Sequence, residues 1–363
     1  MLFGYPVAAT EDNWLHVALC EAVGSIHELI DSGKRYPAWP SVLPRAVRKK
    51  LKGRYGLRDR LKAYDRAVRS VTKADRDVLL DALDSQNRIA ELVSGARPCV
   101  TLAGLPNPVC ESIEALFGFA FGLLADLALR DNQYSAIYAA IPDHMCPFCG
   151  TEYFDAPGAA REALDHYLAR SRYPFASANL RNLVPMGNKC NSSYKLATDL
   201  LVRADGSRRV AFDPYNHASL SMSLNESELF ADPDDWTPRW EIEFVPDSPE
   251  VATWDEVFSV RERFVRDHLN PSFRSWLDQF GKLAKREALR PDSGAAVAAA
   301  LKRFEDNAAD CGFQDRGFLK AAVFRMLRLR CEAGNTRLAA ALADLAGGAI
   351  ATVDEVREEA EAP

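Results

Sequence analysis

Apolar residues recur at helical spacing over most of this chain, and one central stretch breaks the pattern. Over 12–32, Leu15, Val17, Leu19, Ala22, Val23, Ile26, Leu29 and Ile30 return every three to four positions, which predicts an amphipathic first helix. A polar, proline-broken linker covers 35–44. Leu51, Leu57, Leu61 and Val68 then put one apolar side on a basic helical stretch, 45–76, and a further helix is expected over roughly 74–93. The Gly- and Pro-rich 95–108 reads as loop, after which Asn107-Pro108 opens an apolar helix to about residue 130. From 253 onward the helical period returns, with candidate helices at 255–268, 271–288, 293–307, 315–331 and 333–345.

The central stretch, 144–201, suits short strands and turns better. Leu164-Asp165-His166-Tyr167-Leu168 fits a short strand, 170–178 a connecting loop holding Pro174, and Asn182-Leu183-Val184-Pro185 a return strand. Asn191-Ser192-Ser193 has the residue types that favour a helix N-terminus, so the unit reads ββα. Beyond it, 203–249 is loop and strand, with a turn at Asp205-Gly206 and alternation over 240–245. The expected fold is therefore α+β and mainly helical. Its predicted parts are a helical region 1–140, a central ββα unit 141–201, a loop-and-strand brace 202–250, a helical region 251–350 and an acidic tail 351–363.

Composition adds constraints. With 48% hydrophobic and 26% charged residues the chain has the make-up of a soluble globular protein. A net charge of −6 does not favour nucleic acid on average, yet 45–76 sets thirteen Lys and Arg against three Asp. That stretch suits a phosphate backbone, with Tyr55 and Tyr64 as candidates to stack on bases; it equally suits a solvated helix face or a dock for an acidic partner. The most apolar run, 115–129, is short for a bilayer and holds Asp126, so a buried helix and no membrane association are expected. The first residues do not read as a secretory leader, and a reduced, cytoplasmic setting is expected.

Of eight cysteines only Cys146 and Cys149 stand at a ligand spacing. In a reducing compartment such a pair is metal-binding or redox-active sooner than a structural disulfide, and no βαβ pattern of a redox fold surrounds it. Asp165 and His166 are adjacent, and neighbours on a strand point to opposite faces; both reach one phosphate only where the strand bends.

Cys146, Cys149, Asp165-His166, Asn182, Cys190-Asn191 and Lys195 together resemble the HNH family of nucleases, the ββα-metal fold, over 144–195, less than a quarter of the chain. The resemblance implies a metal-dependent endonuclease that hydrolyses phosphodiester bonds, with DNA the expected substrate. It makes His166 the general base, a task a neutral imidazole suits near pH 7. It makes Asp165 and Asn191 the ligands of a catalytic Mg²⁺ or Mn²⁺, whereas Asn191 read alone is a helix N-cap. Asn182 would tie the hairpin loop and hold the base; Lys195 would touch the phosphate or face solvent. Cys146, Cys149 and Cys190 are implied ligands of a structural Zn²⁺. The family's second cysteine pair would fall at 187 and 190, and position 187 is Gly187. Three thiols remain, and a fourth ligand is left to His144, His217, Asp143 or a distant thiol; otherwise no zinc binds and the cysteines pack as small hydrophobes. The turn 212–217 reads as a brace for the ββα unit. A small HNH core framed by helical extensions resembles bacterial restriction and phage-defence nucleases, some controlled by an ATPase partner. The competing expectation is a non-cleaving nucleic-acid or protein adaptor that retains the HNH scaffold.

Overall fold

In the computed structural model, which describes residues 1–159, 164–216, 219–230 and 236–349, helix takes up 58% and strand 5%, so the mainly helical α+β class holds. His217 and the acidic tail lie outside the described residues. The chain divides into two compact units, Met1–Ser219 with Ser248–Phe258, and Leu220–Asp247 with the described residues from Ser259 on.

The first unit holds helices α1 (Trp14–Asp31), α2 (Arg48–Leu51), α3 (Tyr55–Arg69), α4 (Lys73–Gln86), α5 (Ile89–Val93), α6 (Asn107–Asp126), α7 (Leu129–Ala140) and α8 (Pro249–Phe258), with strands β1 (Asp165–His166) and β2 (Leu183–Val184). The apolar stripes found in the sequence meet here. Leu15, Leu19, Val23 and Ile26 of α1, Leu57, Leu61, Tyr64 and Val68 of α3, and Ile113, Phe117, Ala120 and Leu124 of α6 form one buried core. Burial of this kind contributes about 25 cal/mol per Å² of apolar surface, so α1, α3 and α6 are held chiefly by their shared faces. At the start of α4, Thr72 and Asp75 cap each other's backbone amides reciprocally. By length and composition α6 is apolar enough to cross a membrane, but its Val109–Leu124 stripe is buried against α3.

Several predicted boundaries move. The basic stretch is no single helix: residues 52–54 separate α2 from α3, and residues 87–88 break the helix expected over 74–93 into α4 and α5. The apolar helix ends at Asp126, because Ala128 at φ +57° turns the chain before α7. The regions 1–140 and 141–201 are not separate bodies. Phe175, Leu180 and Leu183 share the core of α1, α3 and α6, Phe117 meets Phe175 edge-on at 5.1 Å, and Gln86 Oε1 accepts from Phe175 N at 3.0 Å. The brace 202–250 is likewise divided: its first part belongs to this unit and 220–247 to the other.

The second unit holds β3 (Ser221–Ser223) paired antiparallel with β4 (Glu243–Val245), then α9 (Val260–Arg263), α10 (Asn270–Arg286), α11 (Gly294–Asp310), α12 (Gly317–Glu332) and α13 (Thr336–Leu345). The helix expected over 255–268 is cut at Ser259, which sits at φ +49° between α8 and α9, and a wide π-type stretch, Phe264–Leu269, leads into α10. α11 and α12 form a hairpin around Leu301, Phe304, Val323 and Phe324. Gly317 opens α12 so close to α11 that a Cβ there would lie 2.4 Å from the Ala308 carbonyl oxygen. The buried Glu305 accepts from Arg325 at 2.9 Å and Arg328 at 2.8 Å.

Candidate functional site

Two clusters of chemistry lie in the first unit. The first is a knuckle of thiols. The amides of Cys149 and Gly150 both donate to the Cys146 carbonyl, at 3.3 and 2.7 Å, and Gly150 at φ +65° closes the turn, a conformation that favours glycine. Leu2 N donates to the Pro147 carbonyl at 2.9 Å and Trp254 Nε1, from α8, to the Phe148 carbonyl at 3.0 Å, so the turn is clamped from two sides. A short wide helical turn, Cys190–Lys195, brings Cys190 to the pair. The three Sγ atoms lie within 4.8 Å of one another, all buried. Burial pushes the Cys146 thiol well above its ordinary pKa, while hydrogen bonds from Cys146 and Cys190 pull Cys149 well below. A buried set of converging sulfurs fits a soft or borderline metal such as Zn²⁺.

The fourth ligands named from sequence do not join. His144 stacks on Tyr138 at 3.9 Å with its Nδ1 2.8 Å from the Tyr138 carbonyl. Neither Asp143 nor any of the other described thiols belongs to the cluster, and His217 lies outside the described residues. A carboxylate that no motif singled out does lie there: Glu152 Oε1 is 3.8 Å from Sγ of both Cys149 and Cys190.

The second cluster is the hairpin. β1 pairs antiparallel with β2, Asp165 opposite Val184 and His166 opposite Leu183. Asn182 is fully buried and stitches the intervening loop. Its Oδ1 accepts from Leu168 N at 2.7 Å, and its Nδ2 donates to the carbonyls of Leu168 at 3.0 Å and Ala176 at 3.3 Å. That loop carries Ser177, whose carbonyl lies 3.0 Å from His166 Nε2. A carbonyl only accepts, so Nε2 carries the proton and Nδ1 keeps a lone pair; no group among the described residues hydrogen-bonds Nδ1. The ring packs on Phe121 of α6 at 4.4 Å. Loss of solvent pushes the His166 pKa down to about 4, against the pull of the Ser177 bond, and the charges of Arg170, Lys195 and Arg130 add to the lowering. The imidazole is therefore neutral at pH 7.

Lys195 is not where the sequence suggested. It neither faces solvent nor reaches outward for a phosphate: it is 1% exposed, with Nζ 2.7 Å from Asp165 Oδ2 and donating to the His166 carbonyl at 2.8 Å. Beyond this ion pair, Asp165 Oδ2 has no aligned hydrogen bond at all. Asn191 is not an N-cap either. It sits within the wide turn, its N–H bonded to the Gly187 carbonyl and its own carbonyl accepting from Leu196 N, both at 2.9 Å. Its side-chain amide makes no hydrogen bond among the described residues. The structure thus brings together Asp165, the His166 main chain and Lys195, with Asn191 four residues earlier on the same turn. Residues 212–216 do brace the hairpin: Asp213 pairs with Arg181 at 2.6 Å and the buried Tyr215 hydroxyl donates to the Leu183 carbonyl.

The basic stretch is partly spent within the fold. Arg54 pairs with Asp126, Arg58 with Asp59, Arg69 with Asp65, Lys73 with Asp31 and Asp77, and Arg76 with Asp31. Tyr64 cannot stack on a base, being buried with its hydroxyl 2.9 Å from His27 Nε2. Tyr55 is exposed, and Arg45, Lys49, Lys52, Lys62 and Arg66 are exposed with no ion pair among the described residues. No family model matches this chain, and neither does any curated protein or solved structure.

Proposed function

We propose that the chain is a metal-dependent endonuclease of the HNH type, acting on DNA. One observation carries the reading: a neutral His166, held through Nε2 by a main-chain carbonyl, keeps Nδ1 bare, one residue along β1 from Asp165. His166 Nδ1 takes the proton of a water attacking phosphorus, and the phosphate's own negative charge favours the imidazolium that results. Asn182 keeps the loop, and through Ser177 the ring, in one orientation.

Asp165 and Asn191 would hold the Mg²⁺ or Mn²⁺. Both offer hard oxygen donors, Asp165 with an oxygen lacking an aligned hydrogen bond and Asn191 with an unengaged amide, and this set fits such a cation. When bound, that ion polarises the scissile phosphate and stabilises the leaving 3′-oxygen. Lys195 is a positioning residue: it fixes the turn against β1 and offsets the Asp165 charge. Cys146, Cys149 and Cys190 would hold a structural Zn²⁺ that pins the knuckle to the same turn. The exposed Arg45, Lys49, Lys52, Lys62 and Arg66 support binding along a phosphate backbone rather than base reading. Work in bacterial defence, a regulating ATPase partner and a cytoplasmic place belong to this proposal through the family resemblance.

One observation favours the adaptor reading: an ammonium already stands against Asp165, the carboxylate that a catalytic cation would use. Plasmid cleavage separates the two. Nicking with Mg²⁺ or Mn²⁺, abolished by chelator and by His166→Ala, is the expected result. Wild-type protein that stays inert with both ions, even with cell extract supplying partners, overturns the nuclease and leaves the adaptor.

A further inference from the structure

We infer that Glu152 is the fourth ligand of the zinc site, filling the place of the side chain that Gly187 lacks. The inference rests on the zinc part of the reading above and is independent of the nuclease part.

Three observations converge. First, a Cβ built on Gly187 would lie 2.7 Å from Glu152 Oε2, 2.8 Å from Cδ and 3.0 Å from Cβ. The carboxylate therefore occupies the volume into which a side chain at 187 would project. Gly187 is also three residues before Cys190, the spacing at which Cys146 and Cys149 form their own pair.

Second, the two carboxylate oxygens have different surroundings. Oε2 accepts from Lys189 N at 3.1 Å, which anchors the group to the Cys190 turn. Oε1 is the oxygen aimed at the sulfurs, 3.8 Å from both Cys149 and Cys190. Around a tetrahedral Zn²⁺ with Zn–S near 2.3 Å and Zn–O near 2.1 Å, ligand atoms stand roughly 3.5–3.8 Å apart. Oε1 thus sits at a ligand's separation from two of the three thiols, and a turn of the Glu152 side chain toward Cys146 would complete the set.

Third, the backbone supports the arrangement in the manner of a metal site's outer partners. Gly187 N donates to Cys146 Sγ at 3.3 Å, and Cys146 N donates to the Glu152 carbonyl at 2.8 Å. Segments 146–152 and 187–190 are therefore tied by the Gly187 and Lys189 amides, which donate to two of the groups that would hold the ion. Three thiolates and one carboxylate carry the same formal charge as four thiolates, and binding releases the thiol protons to solvent.

The test uses the full chain. Wild-type protein should bind one Zn²⁺, and its Co²⁺ form should show tetrahedral d–d bands with sulfur-to-cobalt charge transfer of three thiolates. Glu152→Gln should weaken zinc by at least about tenfold in competition with a chromophoric chelator, since even outer partners of a ligand are worth that much. It should also shift the d–d bands without changing the thiolate intensity. The pair Glu152→Ala with Gly187→Cys should restore affinity and raise the charge-transfer intensity by roughly a third, as three sulfurs become four; this arm stands even where Glu152→Gln fails to fold. Zinc bound with unchanged affinity and cobalt spectrum in Glu152→Gln overturns Glu152 as a ligand and leaves a three-thiol site. Wild-type protein that takes up neither metal overturns the zinc site altogether, with plasmid cleavage still free to succeed or fail.

Discussion

A histidine that is to take a proton from water needs one nitrogen bare and the other held, and the loop 168–182 supplies both conditions for His166. Replacing it with Ala should leave the far-ultraviolet circular dichroism unchanged and lower nicking of plasmid by roughly 10²–10⁴-fold, the usual worth of a positioned base. Asn182 is the more structural of the two. Its Ala variant leaves the Leu168 N–H and carbonyl without partners in a buried loop, while the Ala176 carbonyl keeps its bond from Asn179 N. Each orphaned group costs about 1–3 kcal/mol, so a loss of several kcal/mol in urea unfolding is expected; a loss under about 1 kcal/mol would mean that water replaces the amide. Asp165, His166 and Asn182 were legible in the sequence because polar side chains at those spacings between apolar residues have few other uses. Lys195 and Glu152 were not. Lysine is almost never fully buried, so nothing marked Lys195 as the partner of Asp165. Glu152 gains its neighbours only because residue 187, distant in sequence, has no side chain.

Among elements, the turn Cys190–Lys195 matters most, since it carries Cys190, Asn191 and Lys195 to both clusters. It ends abruptly: Leu196 takes φ +49°, ψ −129°, a conformation that favours glycine, with its side chain 59% exposed. A non-glycine residue there costs on the order of 1–3 kcal/mol, and no packing of an exposed leucine offsets it. Leu196→Gly should therefore raise stability by about 1 kcal/mol in denaturant titration; a loss would show that the leucine is held by contacts its exposure does not suggest. The same left-handed geometry explains where sequence reading of the helices failed. α1 emerged with its boundaries almost intact because its apolar stripe is unbroken. Residues 255–268 also read as one stripe, yet Ser259 at φ +49° ends α8 and starts α9. Ala128 does the same between α6 and α7. In each case the helical pattern continues on both sides; the halves at Ser259 belong to different units and those at Ala128 to one core, and a local period registers neither turn.

At the scale of the molecule, the two units have separate cores, and acid should act unequally on them. His16 and His27 of α1 are both buried in the first unit, and loss of solvent lowers each pKa to about 4, with the charge of Arg76 adding to the lowering of His27. In the unfolded chain both titrate near 6.5. Because the folded values are the lower ones, their neutral forms favour the folded state fully above pH 6.5, and that stability drains away as the pH falls toward 4. At about 1.4 kcal/mol per pKa unit, each contributes on the order of 2–3 kcal/mol over that window. Scanning calorimetry between pH 7 and 4.5 should thus show the transition that melts α1 moving down steeply, and any separate transition of the second unit moving less. The pair His16→Gln with His27→Gln should reduce the slope of the first transition, with the remainder left to His166, whose pKa burial also lowers to about 4. A wild-type profile already flat between pH 7 and 4.5 would mean that water reaches both rings. The hairpin proposed as the nuclease site shares its core with α1 through Leu180 and Leu183, so acid that loosens this helix should remove any plasmid nicking before the second unit unfolds.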